Sequence, residues 1–335
     1  MIFSIPTISV FDKTDSDPAI YDMLIVSLGY ENRSSHVGLE LSANATVKLA
    51  AAFDRRHSAS YEENRIRLSA AGFVIFESSD GEIKDLIASQ IKAALVQKPK
   101  DLRIGIDISS MTRVRIANCL LGIASGVGAD RVRVDFLYAP AEFREPTANN
   151  ASADISEPVC VELSGWSDNP ALPSALVVGL GYEPERAVGA AEFLDAARIW
   201  ALSPRSSDQR YDRAVGESNR SLLDSTPRPK IVYYPVNDPF ETYFIIDELV
   251  RGLIRGSRVT LLPFGPKILA LCAMISAFNR YPSVTVWRVS GFADTADDSE
   301  IDCAAQGPIY SLRTEITVNQ KILNSIMNPD SLNQL

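Results

Sequence analysis

The stretch "DMLIVSLGYENR" (Asp22–Arg33) decides the fold, because it recurs as "SALVVGLGYEPER" (Ser174–Arg186). Each copy is an apolar run followed by Leu-Gly-Tyr-Glu, with an arginine just beyond. A short apolar run that ends at a glycine is typical of a buried strand followed by a tight turn. A strand and turn that occur twice indicate an internal repeat, and a repeat constrains the whole fold.

Later blocks of the sequence recur in the same order. "FVIFESSD" (Phe73–Asp80) corresponds to "KIVYYPVND" (Lys230–Asp238), and each block precedes a long amphipathic run. "LRIGIDISSMTR" (Leu102–Arg113) then corresponds to "SRVTLLPFGPK" (Ser257–Lys267). This order predicts two similar halves that arose by internal duplication.

Each half alternates short apolar runs with helix-periodic runs, which is typical of a parallel sheet covered by helices on both faces. We therefore expect an α/β protein made of two tandem Rossmann-like parallel-sheet units. The expected boundaries are a first unit at 1–145, a linker at 146–172, a second unit at 173–292 and a C-terminal extension at 293–335.

Composition excludes several classes of function. The formal net charge of -9 argues against general binding of duplex nucleic acid, which needs a broad basic surface. No apolar run approaches the roughly 18 residues of a membrane span, and the N-terminus does not resemble a signal peptide. We expect a cytoplasmic protein that does not bind membranes.

Sequence motifs for metals and cofactors are absent. The chain has two histidines and four widely spaced cysteines, so neither a zinc site nor a dithiol site is predicted. Cys119 and Cys272 lie in apolar helical runs and are expected in the core. Neither GxGxxG nor GxxxxGK[ST] occurs, so no nucleotide cofactor is predicted.

Polar motifs follow the predicted strands in both halves. Ligands of open parallel sheets bind outside the carboxyl ends of the strands, so we expect these motifs to form one edge that holds an anionic ligand. The candidate ligand-binding residues are Gly29, Tyr30, Glu31, Arg33, Arg55, Arg56, Ser109, Ser110, Thr112 and Arg113 in the first half, and Gly181, Tyr182, Glu183, Arg186, Gly265 and Lys267 in the second.

The segment "DISSMTR" (Asp107–Arg113) has two interpretations. Ser and Thr commonly cap helices, which stabilises them by about 1 kcal/mol. The free N–H groups and positive end of the same helix would also suit a phosphate, with Arg113 as a charged partner. Capping accounts for one hydroxyl, but not for three hydroxyls and an arginine.

Other candidates also keep two interpretations. Tyr30 and Tyr182 either stack on a base or close the edge of the core, and Glu31 either serves the site or pairs with Arg33. Glu183 has the same two uses, with Arg186 as its possible partner. Arg55 and Arg56, next to His57, either hold phosphates or lie in a solvated loop. The recurring Asn64 and Asn219 either read a base edge or cap a loop.

No pair of nucleophile and base stands out in the sequence. In an enzyme, Asp107, Glu31 and His57 would be the candidates to assist the attack on a bound nucleotide.

The segment Asp107–Arg113 resembles the motif after the fourth strand of CARF domains, Asp-x-Thr-Gly-Gly-Thr-Lys. Asp107, Thr112 and Arg113 match this motif, Ser109 stands for its first Thr, and Ser110 and Met111 replace its Gly-Gly pair. In the second half, "PFGPK" keeps only Gly265 and Lys267.

CARF domains are Rossmann-like sensors of cyclic oligonucleotides, and SAVED domains are fused pairs of CARF-like units from bacterial antiphage systems. The resemblance implies a ligand bound between the two halves and an effector activity on a partner protein. We therefore expect a nucleotide-binding sensor or accessory protein. The alternatives are an enzyme acting on a nucleotide or nucleoside, such as a ring nuclease or a glycosidase-like hydrolase, and a protein-interaction scaffold.

Overall fold

The computed structural model describes residues 6–11, 19–54, 57–98, 101–127, 131–145, 155–165, 169–182, 186–290, 304–305 and 307–318. The chain forms two compact units. Unit 1 comprises residues 1–139 and 302–335, and unit 2 comprises residues 140–301.

Unit 1 is built on a seven-stranded sheet. Its strands are β1 (Pro6–Phe11), β2 (Tyr21–Leu28), β3 (Ala45–Phe53), β4 (Val74–Ser78), β5 (Arg103–Asp107), β6 (Arg131–Tyr138) and β13 (Tyr310–Val318). They lie in the order β1-β13-β6-β5-β2-β3-β4, and only β13 runs antiparallel to its neighbours. The helices of this unit are α1 (His36–Leu41), α2 (Tyr61–Ala70), α3 (Ile83–Gln97) and α4 (Arg113–Val127).

Unit 2 is built on a six-stranded sheet. Its strands are β7 (Ile155–Pro158), β8 (Ser174–Gly179), β9 (Arg198–Arg205), β10 (Ile231–Pro235), β11 (Arg258–Pro263) and β12 (Val284–Ser290). The order is β10-β9-β8-β11-β12-β7, with only β7 antiparallel. The helices are α5 (Arg186–Phe193), α6 (Gln209–Ser218), α7 (Arg220–Ser225), α8 (Pro239–Leu253) and α9 (Lys267–Phe278).

Each unit has five strands that pair with one another in parallel, and these have the same order in both units. Numbered along the chain within each unit, they lie as 3-2-1-4-5. The order reverses between β2 and β5 in unit 1 and between β8 and β11 in unit 2, and such a switch point opens a crevice at the carboxyl ends of the strands. The predicted α/β class with two Rossmann-like units is confirmed, and the internal duplication stays a prediction.

The observed unit boundaries differ from the expected ones at two places. β13 was expected in a C-terminal extension but lies inside the sheet of unit 1, between β1 and β6. Its alternating pattern explains this position, because Leu312, Thr314 and Ile316 are fully buried on one face. Strand β7, expected in the linker, pairs with β12 as an edge strand of unit 2.

The core of each unit consists of its central strands and the helices that cover them. Apolar residues such as Ile25 and Val178 are buried along the central strands, because both faces of a parallel sheet are covered. Cys119 on α4 and Cys272 on α9 are fully buried, as expected. Within the described ranges, no helix has both the length and the apolar character needed to cross a bilayer.

Candidate functional site

The loops that follow β2 and β5 meet at the switch point of unit 1. We call residues 29–35 and 108–113 the unit 1 rim. The Ser34 hydroxyl donates to the Ser27 carbonyl and accepts the Gly29 N–H at 2.7 Å. The same oxygen lies 3.1 Å from the Ser110 hydroxyl, so the two loops are joined by a hydrogen bond between side chains. The structure thus brings together the two loops of the first half that were expected to contribute to the ligand site.

Asp107 ends β5 and is fully buried beneath these loops. Its Oδ1 accepts hydrogen bonds from the Ser109 N–H at 2.9 Å and from the Ser109 hydroxyl. Its Oδ2 is buried and has no hydrogen-bond partner among the described residues. Burial raises the pKa of this carboxyl to about 6, although the Ser109 hydrogen bonds and the charge of Arg33 act to lower it. A buried carboxyl with a raised pKa at a strand end marks a candidate functional site.

Arg33 lies beside Asp107 and pairs with Glu31. The Arg33 Nε donates to Glu31 Oε2 at 2.5 Å, and the two side chains are 8% and 16% exposed. Arg33 also donates from Nη1 to the Ala139 carbonyl at 3.0 Å. Ala139 in turn donates its N–H to the Ser109 hydroxyl at 2.8 Å. Glu31 therefore has the pairing role that the sequence left open, and Ser109 is fully engaged inside the protein.

Thr112 caps helix α4, as the simpler interpretation predicted. Its hydroxyl accepts the Arg115 N–H at 3.0 Å and donates to the Asp80 carboxylate. Ser110, Thr112 and Arg113 are partly exposed, whereas Ser109 is fully buried. Within residues 108–113 the partly exposed surface is thus formed by Ser110, Thr112 and Arg113, with Arg113 as the first residue of a 15-residue helix.

Arg115 is a residue of this region that the sequence analysis missed. It is fully buried on α4, where its Nη atoms donate to the carbonyls of Ala51 and Ser78 at the ends of β3 and β4. Its Nε donates to Asp80 at 3.0 Å, and its guanidinium lies 3.7 Å from the centroid of the Phe53 ring. Desolvation by burial lowers its pKa. The available signal was an arginine within an otherwise apolar helix, "RVRIANCLLGIA".

Asn64 and Asn219 have the same role in the two units. Each donates from Nδ2 to the carbonyl of the glycine that follows the first parallel strand, Asn64 to Gly29 at 3.1 Å and Asn219 to Gly181 at 2.8 Å. Asn64 also donates to the Glu31 carbonyl and is fully buried. These amides hold the loops from inside the protein, which is the loop-capping alternative rather than base reading.

The two repeated tyrosines both pack against a core. Tyr30 lies partly buried on the core of unit 1, and Tyr182 lies partly buried on the core of unit 2. Tyr182 also meets Tyr211 edge to face, with ring centroids 4.9 Å apart, and Phe143 at 6.2 Å. Both rings therefore close a core edge, and both keep a partly exposed surface.

In unit 2 the loops after β8 and β11 lie against each other. Gly265 has a φ of +78°, and a Cβ at this position would lie 2.4 Å from the Leu180 carbonyl oxygen. Only glycine fits such a conformation and such a close approach. Arg186 begins α5 and Lys267 begins α9, both partly exposed. At the switch point of unit 2, the backbone of the two loops is in close contact. At the corresponding place in unit 1, the two loops are joined through polar side chains.

His57 lies apart from the buried carboxyl. It is exposed, stacks on Tyr61 at 4.1 Å between centroids, and has its Nε2 2.8 Å from the Phe53 carbonyl. Arg55, Arg56 and Glu183 fall outside the described residues. No group of three or more metal-binding side chains occurs in the part of the chain that the structure describes.

Unit 2 also has an open depression of about 470 Å³. Its lining includes Val188 and Ala191 of α5, Ile199 of β9, and Leu222 and Ser225 of α7. None of the residues expected to bind a ligand lines it. This depression is therefore separate from the strand ends that the sequence analysis singled out.

Comparisons with known proteins do not assign this chain to a family. No protein-family model matches it. No curated protein matches it either. Among solved structures, the cytoplasmic domain of a prokaryotic cation chloride cotransporter aligns with 84% of this chain and 100% of its own length, at 7% sequence identity and a TM-score of 0.23. A similarity of this size supports no conclusion about fold or function.

Proposed function

We propose that this protein binds a small anionic ligand of the nucleotide type at the unit 1 rim and acts as a sensor or accessory protein. The observation that carries the proposal is the position of the rim. It lies where the strand order reverses between β2 and β5, which is where open α/β sheets bind their ligands.

The chemistry of the rim suits an anion. Arg113 begins α4, whose first turn presents N–H groups and the positive end of the helix dipole. The partly exposed Ser110 hydroxyl lies in the same loop. A phosphate at this position would accept hydrogen bonds from hydroxyl and backbone groups and would pair with the Arg113 guanidinium.

The resemblance to CARF domains supports a nucleotide as the ligand. Asp107, Thr112 and Arg113, which match the family motif, lie at the end of β5 and the start of α4, the strand-to-helix junction that the motif implies. On the same resemblance we propose a role in antiphage defence, with the response carried out by a partner protein.

The enzyme alternative would use the same site. Asp107 has the raised pKa of a general acid or base, but its side chain and that of Ser109 are fully buried, so neither reaches a substrate in this conformation. We therefore favour binding over catalysis. A scaffold would leave the rim without a ligand.

Native mass spectrometry with a panel of mononucleotides, dinucleotides and cyclic oligonucleotides tests the proposal. We expect a bound ligand of unchanged mass, and at least a tenfold loss of affinity in Arg113→Ala, since one charge-assisted contact is worth about 1.5–3 kcal/mol. Arg131→Ala is the matched control, because this exposed arginine begins β6 at the opposite end of the same sheet.

Each outcome of this experiment distinguishes the alternatives. A product of altered mass would establish an enzyme. Equal affinity in Arg113→Ala and Arg131→Ala would contradict the assignment of the rim. The absence of binding across the panel would favour the scaffold. Lys267→Ala, measured in parallel, reports whether unit 2 takes part in binding.

A further inference from the structure

The peptide groups at which the chain passes from unit 1 to unit 2 are held by side chains of the rim. Ala139 follows β6, is fully buried, and is the last residue of unit 1 before the chain enters unit 2 at Pro140. Its N–H donates to the Ser109 hydroxyl at 2.8 Å, and its carbonyl accepts from Arg33 Nη1 at 3.0 Å. Two residues before it, the Leu137 carbonyl accepts the Ile108 N–H at 2.9 Å. Both loops of the rim thus hold the end of β6.

Ser109 and Arg33 are themselves fixed by the two acids of the site. The Ser109 hydroxyl donates to Asp107 Oδ1, while Arg33 donates from Nε to Glu31. Pro140 has no N–H and restricts the backbone of the residue before it. The orientation of the Ala139 peptide groups therefore sets the direction in which the chain leaves unit 1.

We propose that Arg33 and Ser109 are positioning residues that lock the Ala139 peptide groups, and that this lock couples ligand binding at the unit 1 rim to the chain segment that enters unit 2. The coupling rests on the proposed function. The lock itself is made of contacts within unit 1.

The mechanism of coupling is competition for Arg33. Its guanidinium is 8% exposed, donates to the Glu31 carboxylate and to the Ala139 carbonyl, and also lies beside the Tyr138 hydroxyl. An anion at the rim attracts the same guanidinium, and the planar fork of arginine favours a bidentate anion over a single carbonyl. A ligand that draws Arg33 away frees the Ala139 carbonyl. By thermodynamic linkage, a variant that opens the lock must also change the affinity for that ligand.

Hydrogen exchange of the full-length protein tests the lock without a ligand. We would read the Ala139 amide by mass spectrometry with electron-transfer fragmentation. Ser109→Ala removes the acceptor of this amide, so its exchange is expected to become about tenfold faster. Thr112→Ala is the matched control, because Thr112 lies in the same loop and caps α4 but does not bond to Ala139. Unchanged exchange in Ser109→Ala, or equal acceleration in both variants, would overturn the lock.

A second variant keeps the test decisive if Ser109→Ala unfolds. Arg33→Gln removes the donor to the Ala139 carbonyl and leaves Ser109 in place. We expect faster exchange at Ala139 and at Ala141, the next residue with an amide, together with an unchanged exchange rate along α3. An unchanged exchange rate at both Ala139 and Ala141 would contradict the lock.

The coupling is tested by adding inorganic pyrophosphate and, separately, adenosine 5′-monophosphate. Binding that is confirmed by native mass spectrometry and accelerates exchange at Ala139 supports the coupling. Binding without any change at Ala139 overturns the coupling and leaves the proposed function standing. Binding by neither probe, nor by any nucleotide of the panel, counts against the proposed function, and the coupling then fails with it.

Discussion

Asp107 makes the free energy of unfolding depend on pH, because its pKa differs between the folded and the unfolded state. Its pKa rises from an ordinary 3.8 to about 6 in the folded protein, chiefly through desolvation. Below pH 3.8 the carboxyl is protonated in both the folded and the unfolded state, so its titration costs no stability. Between pH 3.8 and 6 the unfolded state releases the proton and the folded state keeps it, so stability falls as the pH rises. Above pH 6 the loss is complete, at about 3 kcal/mol for a difference of about two pKa units.

The Asp107→Asn variant isolates this effect, because an amide has the shape of the carboxyl but does not titrate. We would measure urea denaturation of wild type and variant from pH 3.5 to 8 and subtract the two free energies of unfolding, which cancels the other titrating groups. The wild type should lose about 3 kcal/mol relative to the variant across this range. Ser89→Ala, which changes an exposed hydroxyl on α3 and no titrating group, should give a nearly constant difference. A constant difference for Asp107→Asn, or one of opposite slope, would refute the argument.

Three further sets of substitutions test other contacts by the same denaturation assay. Arg115→Met should destabilise unit 1 by about 3 kcal/mol, because it leaves buried carbonyls of two strand ends without a donor; a loss below 1 kcal/mol would show that these carbonyls find other partners. Gly265→Ala should cost about 1–3 kcal/mol through its positive φ and the carbonyl 2.4 Å from the added Cβ, whereas Gly189→Ala, with open space around it, should be neutral or stabilising. Asn64→Ala and Asn219→Ala should each cost about 1–3 kcal/mol by removing a buried hydrogen bond to a loop glycine, and a loss in only one unit would contradict their equivalence.

The sequence predicted the parallel strands well because their signal is local. Runs such as "LIVSL" and "IGID" are apolar and bounded by glycine or polar residues, and the repeat identified which run in one half corresponds to which in the other. The position of the switch point follows from the strand order that is usual for doubly wound parallel sheets. β13 was not predicted, although Leu312, Thr314 and Ile316 alternate with polar residues. Its place between β1 and β6 depends on pairing with strands far away in the chain, which no local pattern specifies.

The sequence predicted that the polar loops of unit 1 follow its strand ends, but not the contacts that these loops make. Asp107, Ser109 and Arg33 were all named from the sequence, because strand ends in parallel sheets converge. Their roles depend on distances that only the folded chain sets, such as the 2.8 Å between the Ala139 N–H and Ser109. Arg115 was missed because its carbonyl partners lie more than 30 residues away.

The buried carboxyl of Asp107 is itself an argument for function at the rim. Asp107 lowers stability when it is ionised, because its Oδ2 has no hydrogen-bond partner within the described parts of the chain. A serine or an asparagine at the end of β5 would avoid the roughly 3 kcal/mol that ionisation costs. Sequences that fold well usually avoid such local conflicts, and those that remain are concentrated at functional sites. Here the same carboxyl accepts a hydrogen bond from Ser109, which in turn accepts the Ala139 N–H where the chain leaves unit 1 for unit 2. The destabilising carboxyl therefore fixes the position of the chain at this point. If Asp107→Asn were more stable at pH 8 but had lost both ligand binding and the protection of the Ala139 amide, the carboxyl would be retained for function. If binding and protection survived unchanged, Asp107 would have no role that explains its burial.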